Sequence, residues 1–144
     1  MWTGLDASGL LDPALVALLN RRVAALNGCA FCQDINAAVS SELGVSDAKI
    51  LALAEYASSP AYDTAERVAL EYADAITLSD RDADDALFAR LREHYTDDQL
   101  VELTATIAWE NASSKFNRAL RVPSQGLWRR GEAAVGSRQS AEEG

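Results

Sequence analysis

The chain has few of the side chains that most catalytic and metal sites use. It contains one histidine, His94, and only two cysteines among its 144 residues. A closed zinc site needs four ligands, which one distant histidine and two cysteines cannot complete within a single chain. A catalytic serine–histidine–aspartate arrangement is disfavoured because no distinctive serine lies near His94. The glycines form no phosphate-binding loop either, so we expect no metal and no cofactor.

Basic charge and long apolar runs are also scarce. The net charge is −9 and the isoelectric point is about 4.5. Nucleic acids and anionic membranes are bound by basic surfaces, so neither is an expected partner. The sequence has no apolar run of membrane-spanning length, and its start lacks the features of a secretory signal. These absences predict a cytoplasmic protein, in which two close cysteines favour catalysis, redox sensing or metal binding over a structural disulfide.

Helical start and stop signals are present throughout the chain. Capping residues, apolar residues spaced three or four apart, and terminating glycine or proline residues predict six helices. They lie at about 13–27, 29–43, 46–57, 63–78, 83–94 and 97–120. No strand pattern or internal repeat appears, and 49% hydrophobic residues suffice for one core. The prediction is an all-α, single-domain bundle.

The two ends of the chain differ from this pattern. We expect residues 1–11 to form an N-terminal extension, residues 12–123 the domain, and residues 124–144 a loosely ordered tail rich in glycine, serine and charge. Trp128 is the exception within the tail. It either docks on a neighbouring subunit or packs locally.

The two cysteines are three residues apart, as Cys29 and Cys32, directly after Asn27-Gly28. On a helix this spacing places both thiols on one face, where they can meet. Cys29 is predicted at the cap or in the first turn, where free backbone N–H groups and the helix dipole stabilise a thiolate. Cys32 is predicted one turn deeper and more buried. The pattern favours a redox couple, and the alternative is a pair of small core residues.

The segment Asn27-Gly28-Cys29-Ala30-Phe31-Cys32, with Leu-Val-Glu-Leu-Thr at 100–104 and the closing segment at 116–123, resembles the carboxymuconolactone decarboxylase and alkylhydroperoxidase D-like (AhpD-like) family. The resemblance covers roughly residues 12–123. It implies an AhpD-like helical bundle and a thiol peroxidase or disulfide oxidoreductase without a bound cofactor. The cysteine pair would cycle between dithiol and disulfide to reduce a peroxide or a disulfide. The family also implies a homo-oligomer, a trimer or a hexamer.

Two positions depart from the family's redox members. Those members usually carry a histidine four residues after the second cysteine, where this chain has Asn36. They also carry a glutamate about twelve residues before the first cysteine, where this chain has Ala17. Neither side chain can shuttle a proton near neutral pH. This loss argues against ring decarboxylation and leaves a second hypothesis open, a non-catalytic or redox-sensing member that acts as an oligomeric interaction protein.

Asn36 and Glu110 are the remaining candidate site residues. Asn36 is one helical turn from Cys32, so it either orients a thiolate or a bound oxygen atom or has a structural role only. Glu110 lies mid-helix among apolar residues, where a carboxylate is either functional or paired. Its predicted partners, if it is paired, are arginines such as Arg21, Arg22 and Arg118. The candidate catalytic set is therefore Cys29, Cys32, Asn36 and Glu110.

Two other ionisable residues are expected outside this set. Asp34 is two residues from both Cys32 and Asn36, so it should face away from them and favour the helix dipole. His94 ends the fifth predicted helix, where a histidine commonly compensates the dipole at the surface.

Overall fold

The computed structural model describes residues 8–129, which form six α-helices and one 3₁₀ helix and contain no strand. In chain order these are α1 (Pro13–Leu26), α2 (Ala30–Glu42), α3 (Asp47–Leu51), the 3₁₀ helix (Ala52–Glu55), α4 (Thr64–Thr77), α5 (Asp85–Arg92) and α6 (Asp97–Ala119). The predicted all-α, single-domain fold is confirmed. None of the described helices combines the length and apolarity needed to cross a membrane.

Side-chain caps begin the helices close to the predicted positions. The Asp12 carboxylate accepts a backbone N–H from the first turn of α1, with proline at the first helical position. Asp63 and Glu66 form a complete capping box at α4, and Thr96 and Gln99 form another at α6. Each cap satisfies backbone donors that the helix cannot and contributes about 1 kcal/mol. The caps therefore fix where the helices start along the chain.

Two helices differ from the prediction. The third helix, predicted to reach about residue 57, is α-helical only to Leu51 and then tightens into the 3₁₀ helix that ends at Glu55. Such tightening is frequent at helix ends because it satisfies the last carbonyl groups. The fifth helix begins at Asp85 instead of Ala83, since the Asp84 carboxylate accepts the Leu87 N–H and acts as the cap.

Helix α1 is central to the bundle. It packs against α2, α4 and α6, and its side chains Leu18, Leu19 and Val23 are fully buried. Leu103 and Ile107 of α6 belong to the same core cluster. Burying a side chain of this size stabilises the fold by about 1.5–3 kcal/mol. The core thus holds α1 up to Val23, close to the point where the helix leads into the cysteine pair.

One buried charge joins three segments of the bundle. Asp74 of α4 accepts two hydrogen bonds from the Arg22 guanidinium, at 2.8 and 3.1 Å, and one from the Tyr56 hydroxyl at 2.7 Å. Burial, together with the hydrogen bond to Asp74, raises the pKa of Tyr56. Arg81 lies 3.7 Å from the same carboxylate. This cluster fixes α1 against α4 and against the end of the 3₁₀ helix.

Replacing Asp74 should therefore destabilise the protein strongly. In Asp74→Ala the half-buried Arg22 guanidinium loses its charged partner, which costs about 3–5 kcal/mol of unfolding free energy. Urea denaturation measures this loss. The matched control is Asp97→Ala, because the Arg92–Asp97 pair is exposed and 3.7 Å apart and should change stability very little. An equal loss in the two variants would contradict the assignment of Asp74 as the central charge.

Candidate active site

The cysteine pair lies at the start of α2. Cys29 is the N-cap residue, and its sulfur accepts the Cys32 backbone N–H at 3.1 Å. The two sulfurs form a disulfide, with the Cα atoms 5.3 Å apart. In the reduced state, the same N–H and the helix N-terminus would stabilise a thiolate on Cys29. The predicted position of the pair at a helix start is confirmed.

The expected difference in burial between the two cysteines is wrong. Cys29 is 1% exposed and Cys32 is 3% exposed, so the cap position does not bring Cys29 to the surface. Ala24 is buried beside the pair, and the half-buried Phe31 packs against the same cluster. The end of α1 thus covers the N-cap that an isolated helix would expose.

Gly28 sets the turn that leads into the pair. Its φ of +67° lies in the left-handed region, which glycine adopts without strain. The Gly28 carbonyl accepts a 3.0 Å hydrogen bond from the Arg118 guanidinium, and a Cβ at this position would collide with that side chain. Glycine is therefore required by the backbone angle, and a side chain here would also displace the guanidinium of Arg118.

Asn27 fastens the same turn to α6. Its amide nitrogen donates to the Asn111 side-chain oxygen and to the Ser114 hydroxyl, both at 2.9 Å. Asn111 in turn donates to the Thr77 hydroxyl of α4 at 3.0 Å. The Asn-Gly that precedes the first cysteine is thus an attachment point for two other helices.

Asn117 contacts the second sulfur. Its amide nitrogen lies 3.4 Å from the Cys32 sulfur and donates a hydrogen bond to it. Asn117 is half-buried near the C-terminal end of α6. This residue belongs to the closing segment that resembles the family, and it is not one of the predicted site residues. Asn117 lies four residues after Ser113 and seven after Glu110, so the three side chains share one helix face. This spacing was the sequence signal that could have pointed to a site role for Asn117.

Asn36 and Ala17, the two positions that lack the family's proton-carrying residues, line the same cavity of about 420 Å³. The Asn36 amide nitrogen donates to the Cys32 carbonyl within its own helix, at 2.8 Å. Asn36 therefore faces the cavity one turn from Cys32, with its donor bonded to backbone and not to a sulfur.

The cavity is mostly apolar. Besides Asn36, its wall has polar groups from Asn20, Glu102 and Thr106. The Asn20 side-chain oxygen is buried without a hydrogen-bond partner among residues 8–129. The apolar lining consists mainly of Leu11, Val16, Val39 and Leu43. Such a wall suits a small molecule with an apolar body and a polar end.

Glu110 is buried on α6, with 6% of its surface exposed. Its Oε1 atom has no hydrogen-bond partner among the described residues. Burial raises the pKa of Glu110 to about 8, so the carboxyl group is mostly protonated at neutral pH. Residues 8–129 contain no salt bridge to this carboxyl group, although an arginine partner was the predicted alternative. The three candidate arginines have other partners: Arg21 bonds to the Gln33 carbonyl, Arg22 to Asp74 and Arg118 to the Gly28 carbonyl.

The position of Glu110 along α6 relates it to both the cavity and the disulfide. Thr106, which lines the cavity, is one turn before it, and Asn117, which contacts Cys32, is two turns after it on the same face. Glu110 makes no side-chain hydrogen bond to either sulfur within the described part of the chain. The start of α2 therefore carries Cys29, Cys32 and Asn36, whereas Glu110 lies on the adjoining face of α6.

Asp34 faces away from the pair, as predicted. Its carboxylate accepts the backbone N–H groups of Leu127 and Trp128 at 2.8 and 2.9 Å. Burial acts to raise the pKa of Asp34, but these hydrogen bonds outweigh it and hold the pKa below its ordinary value. The start of the predicted C-terminal tail is thus attached to α2.

Trp128 packs locally, within its own chain. Its indole N–H donates to the Asp47 carboxylate at 3.3 Å, and the Arg21 guanidinium lies 5.1 Å from the ring centre. Residues 130–144 of the predicted tail and residues 1–7 of the predicted extension lie outside the described residues.

His94 lies away from the cavity that Asn36 lines. His94 is exposed just beyond α5 and lines a different cavity, together with Arg67 and Glu93. Between residues 8 and 129 there is no group of three histidine, cysteine or acidic side chains that could hold a metal ion.

A six-helix domain with a Cys-x-x-Cys pair at the N-cap of its second helix defines the chain as an AhpD-like helical protein. The chain belongs to the carboxymuconolactone decarboxylase family, whose model matches residues 1–75. The family resemblance inferred from Asn27 to Cys32 is confirmed.

Two curated bacterial relatives share substantial sequence with the chain. The uncharacterized protein YnjA of Escherichia coli is 42% identical over 119 residues, 83% of this chain. The uncharacterized protein YdfG of Bacillus subtilis is 33% identical over 104 residues, 72% of this chain and 71% of that protein. The chain spans 65% of the length of YnjA, a little under two thirds.

Solved structures share the fold. A protein of unknown function from Agrobacterium tumefaciens, described as a putative antioxidant defence protein AhpD, is 30% identical with a TM-score of 0.80, over 85% of this chain and 84% of that chain. The debrominase Bmp8 is 24% identical with a TM-score of 0.77, over 85% of this chain and 66% of its own. At that identity the likeness to Bmp8 concerns the fold alone.

The raised pKa of Glu110 predicts how stability depends on pH. Between its ordinary pKa of 4.5 and its folded-state pKa of about 8, the folded protein holds a proton that the unfolded chain releases. Stability is therefore greatest below the lower value and falls by a few kcal/mol as the pH rises to the upper one. Glu110→Gln cannot ionise and should lose this part of the decline. Urea denaturation at about pH 5 and about pH 8 measures it.

The control for this experiment is Glu42→Gln, at the exposed C-terminal end of α2. It should retain the pH dependence of the natural protein. If Glu110→Gln also retains that dependence in full, the carboxyl group of Glu110 is not the group that holds the proton in the folded protein.

Proposed function

We propose that this protein is a thiol-dependent peroxidase and disulfide oxidoreductase, in which Cys29 and Cys32 cycle between dithiol and disulfide. The observation that carries the proposal is the geometry of the pair, a disulfide at a helix N-cap with a backbone N–H directed at the Cys29 sulfur. This is an arrangement in which a thiolate is favoured and a second thiol is close enough to close the disulfide.

The proposed peroxide reaction has two steps. A thiolate of the pair attacks a peroxide oxygen, the O–O bond breaks, and the sulfur becomes a sulfenic acid while the leaving oxygen takes a proton to form an alcohol. The second thiol then attacks the sulfenic sulfur, the disulfide forms, and the hydroxyl leaves as water with the thiol's proton. Two external thiols return the pair to the dithiol and form their own disulfide.

The cavity beside Asn36 is the proposed substrate site. Its apolar wall favours a peroxide or disulfide with an apolar body, and the unpartnered Asn20 oxygen accepts a hydrogen bond from the polar end. Asn36, one turn from Cys32, orients the reacting oxygen. The cytoplasm is the proposed location, because thiols that can reduce the disulfide are kept reduced there.

Glu110 is the proposed proton carrier in place of the family's histidine and glutamate. With a pKa of about 8 it is protonated at neutral pH and can donate to a leaving oxygen, then recover the proton from a thiol. Its place on α6 between Thr106 and Asn117 supports this role.

The second candidate function is a redox sensor or interaction protein without turnover. It is favoured by Ala17 and Asn36, which leave the cavity without a proton-transferring side chain at either family position. It is also favoured by the burial of both sulfurs, which slows reaction with any oxidant. In this case oxidation changes partner binding or assembly, and peroxide is consumed only at the uncatalysed rate.

A peroxide consumption assay with a thiol reductant tests the proposed activity. The natural protein should lose two free thiols on oxidation, recover them on reduction, and consume peroxide catalytically. Cys29→Ser and Cys32→Ser should each abolish turnover, because each lacks one half of the couple. Peroxide consumption that is unchanged in both variants would refute the proposal.

Asn36→His separates the two candidate functions within the same assay. A rate gain on the order of 100-fold, the usual contribution of a positioned general acid or base, would show that the pair is competent and limited by proton transfer. The control is Asn36→Gln, which keeps the amide and should give no gain. Background rates in the natural protein and in Asn36→His would favour the non-catalytic function.

We also propose a homo-oligomer, a trimer or a hexamer, assembled through α6. One face of α6 carries Val101, Phe116 and Leu120, exposed by 69%, 65% and 63%. Three alanines continue the same face between them, at 105, 108 and 112. A second copy of the chain is the proposed occupant because every position from 101 through 105, 108 and 112 to 116 on this face carries an apolar side chain.

Light scattering tests this assembly. Phe116→Glu should shift the mass toward the monomer, because a charge in an apolar interface is costly. Ala86→Glu, which adds the same charge at an exposed position of α5, is the control and should leave the mass unchanged. A monomeric natural protein would contradict the proposal directly.

A further inference from the structure

Each sulfur of the pair has its own hydrogen-bond donor. The Cys29 sulfur accepts the Cys32 backbone N–H, a contact that any residue at position 32 would supply. The Cys32 sulfur accepts from the Asn117 side chain, which is 85 residues away along the chain. The second contact depends on the side chain at position 117, so a substitution there can remove it.

The charged side chains near the cysteine pair make their hydrogen bonds to other groups. On α6, Arg118 bonds to the Gly28 carbonyl. On α1, Arg21 bonds to the Gln33 carbonyl and Arg22 to Asp74, and on α2 Asp34 accepts from residues 127 and 128. Glu110 of α6 makes no side-chain hydrogen bond to a sulfur. Asn117 is therefore the one side chain in the described part of the chain that donates to either sulfur.

The position of Asn117 is fixed from both sides. Ser114, on the preceding turn, holds the Asn27 amide, and Arg118, the next residue, holds the Gly28 carbonyl. The Asn117 carbonyl accepts the Val122 N–H, which closes the end of the helix. The last turns of α6 are thus fastened to the two residues that precede Cys29, and the amide is held at the sulfur before any reaction begins.

We propose that Asn117 is a further catalytic residue, whose amide stabilises the negative charge that forms on the Cys32 sulfur when the disulfide opens. This rests on the proposed dithiol–disulfide function. An external thiolate attacks the Cys29 sulfur and forms a mixed disulfide, the Cys29–Cys32 bond breaks, and its electron pair goes to the Cys32 sulfur as a thiolate. A second external thiolate then attacks the outer sulfur of the mixed disulfide and releases Cys29, and the protons of the two thiols pass to the pair.

The hydrogen bond from Asn117 matters more after the bond opens than before. A disulfide sulfur is a weak acceptor, whereas hydrogen bonds to charged acceptors are about twice as strong as those between neutral groups. Asn117 therefore favours the reduced, ionised state over the disulfide. It lowers the pKa of the Cys32 thiol and makes Cys32 a better leaving group.

Two variants that nearly preserve the shape of Asn117 test this role. Asn117→Leu removes the donor, and Asn117→Asp replaces it with an acceptor that is charged at neutral pH. The first measurement is the pKa of the Cys32 thiol in a Cys29→Ser background, followed by the ultraviolet absorbance of the thiolate. We expect Asn117→Leu to raise this pKa by about one unit, a tenfold loss of thiolate below the pKa, and Asn117→Asp to raise it further.

The second measurement is the reduction potential of the intact pair in a dithiol redox buffer. Above the thiol pKa, a tenfold destabilisation of the reduced state moves the potential of Asn117→Leu about 30 mV more negative. Well below that pKa the reduced sulfurs are neutral, and the shift should largely disappear. A purely structural role for Asn117 would give a shift that does not depend on pH.

The control is Thr104→Val, which removes the hydrogen bonds of the Thr104 hydroxyl to Tyr72 and to the Leu100 carbonyl, on the same helix but far from the pair. It should leave the thiol pKa and the potential unchanged. The proposal is overturned if neither Asn117 variant moves the thiol pKa, or if Thr104→Val moves it equally. The thiol pKa is measured without turnover, so absent peroxidase activity refutes the proposed function and leaves this test intact.

Discussion

The attachment of α6 to the turn between α1 and α2 is the constraint on which the site depends. Asn27 donates hydrogen bonds to Asn111 and Ser114, and the Gly28 carbonyl accepts one from Arg118. Three consecutive turns of α6 thus bind the two residues of this turn. These hydrogen bonds help to hold Gly28 in its left-handed conformation, Cys29 at the cap of α2 and Asn117 against Cys32. A Cys-x-x-Cys at a free helix end would have the same residues without the second donor and without burial.

The site combines an intact disulfide couple with an altered proton environment. Ala17 and Asn36 face one cavity, where neither side chain can carry a proton near neutral pH. Glu110 is buried on the adjoining face of α6, and burial raises the pKa of its carboxyl group. The chain has therefore kept the geometry that brings two sulfurs together without the two proton-carrying side chains of the family's redox members. The chemistry of the sulfurs and the protonation of Glu110 are testable independently.

Much of the fold and part of the site could be predicted from sequence, because the relevant interactions are local. Capping residues such as Asp12 and Thr96 act within one turn, and the three-residue spacing of the cysteines fixes their common face. The contact of Asn117 and the isolation of Glu110 could not be predicted, since both depend on how α6 packs against helices 80 or more residues away in sequence. The burial of Cys29 was missed because the end of α1, where Ala24 is buried beside the pair, covers the cap.

The two hydrogen bonds from residues 127 and 128 to Asp34 make the far end of the described chain part of the helix that carries the cysteines. The family-like closing segment ends at Pro123, yet Trp128, five residues further along the chain, contacts Asp47 and Arg21. The folding unit is thus longer than the sequence motif. A chain shortened at residue 123 would leave the Asp34 carboxylate without these two backbone N–H donors. It would also lose the contacts of Trp128 that fasten the segment after α6 to α2 and α3.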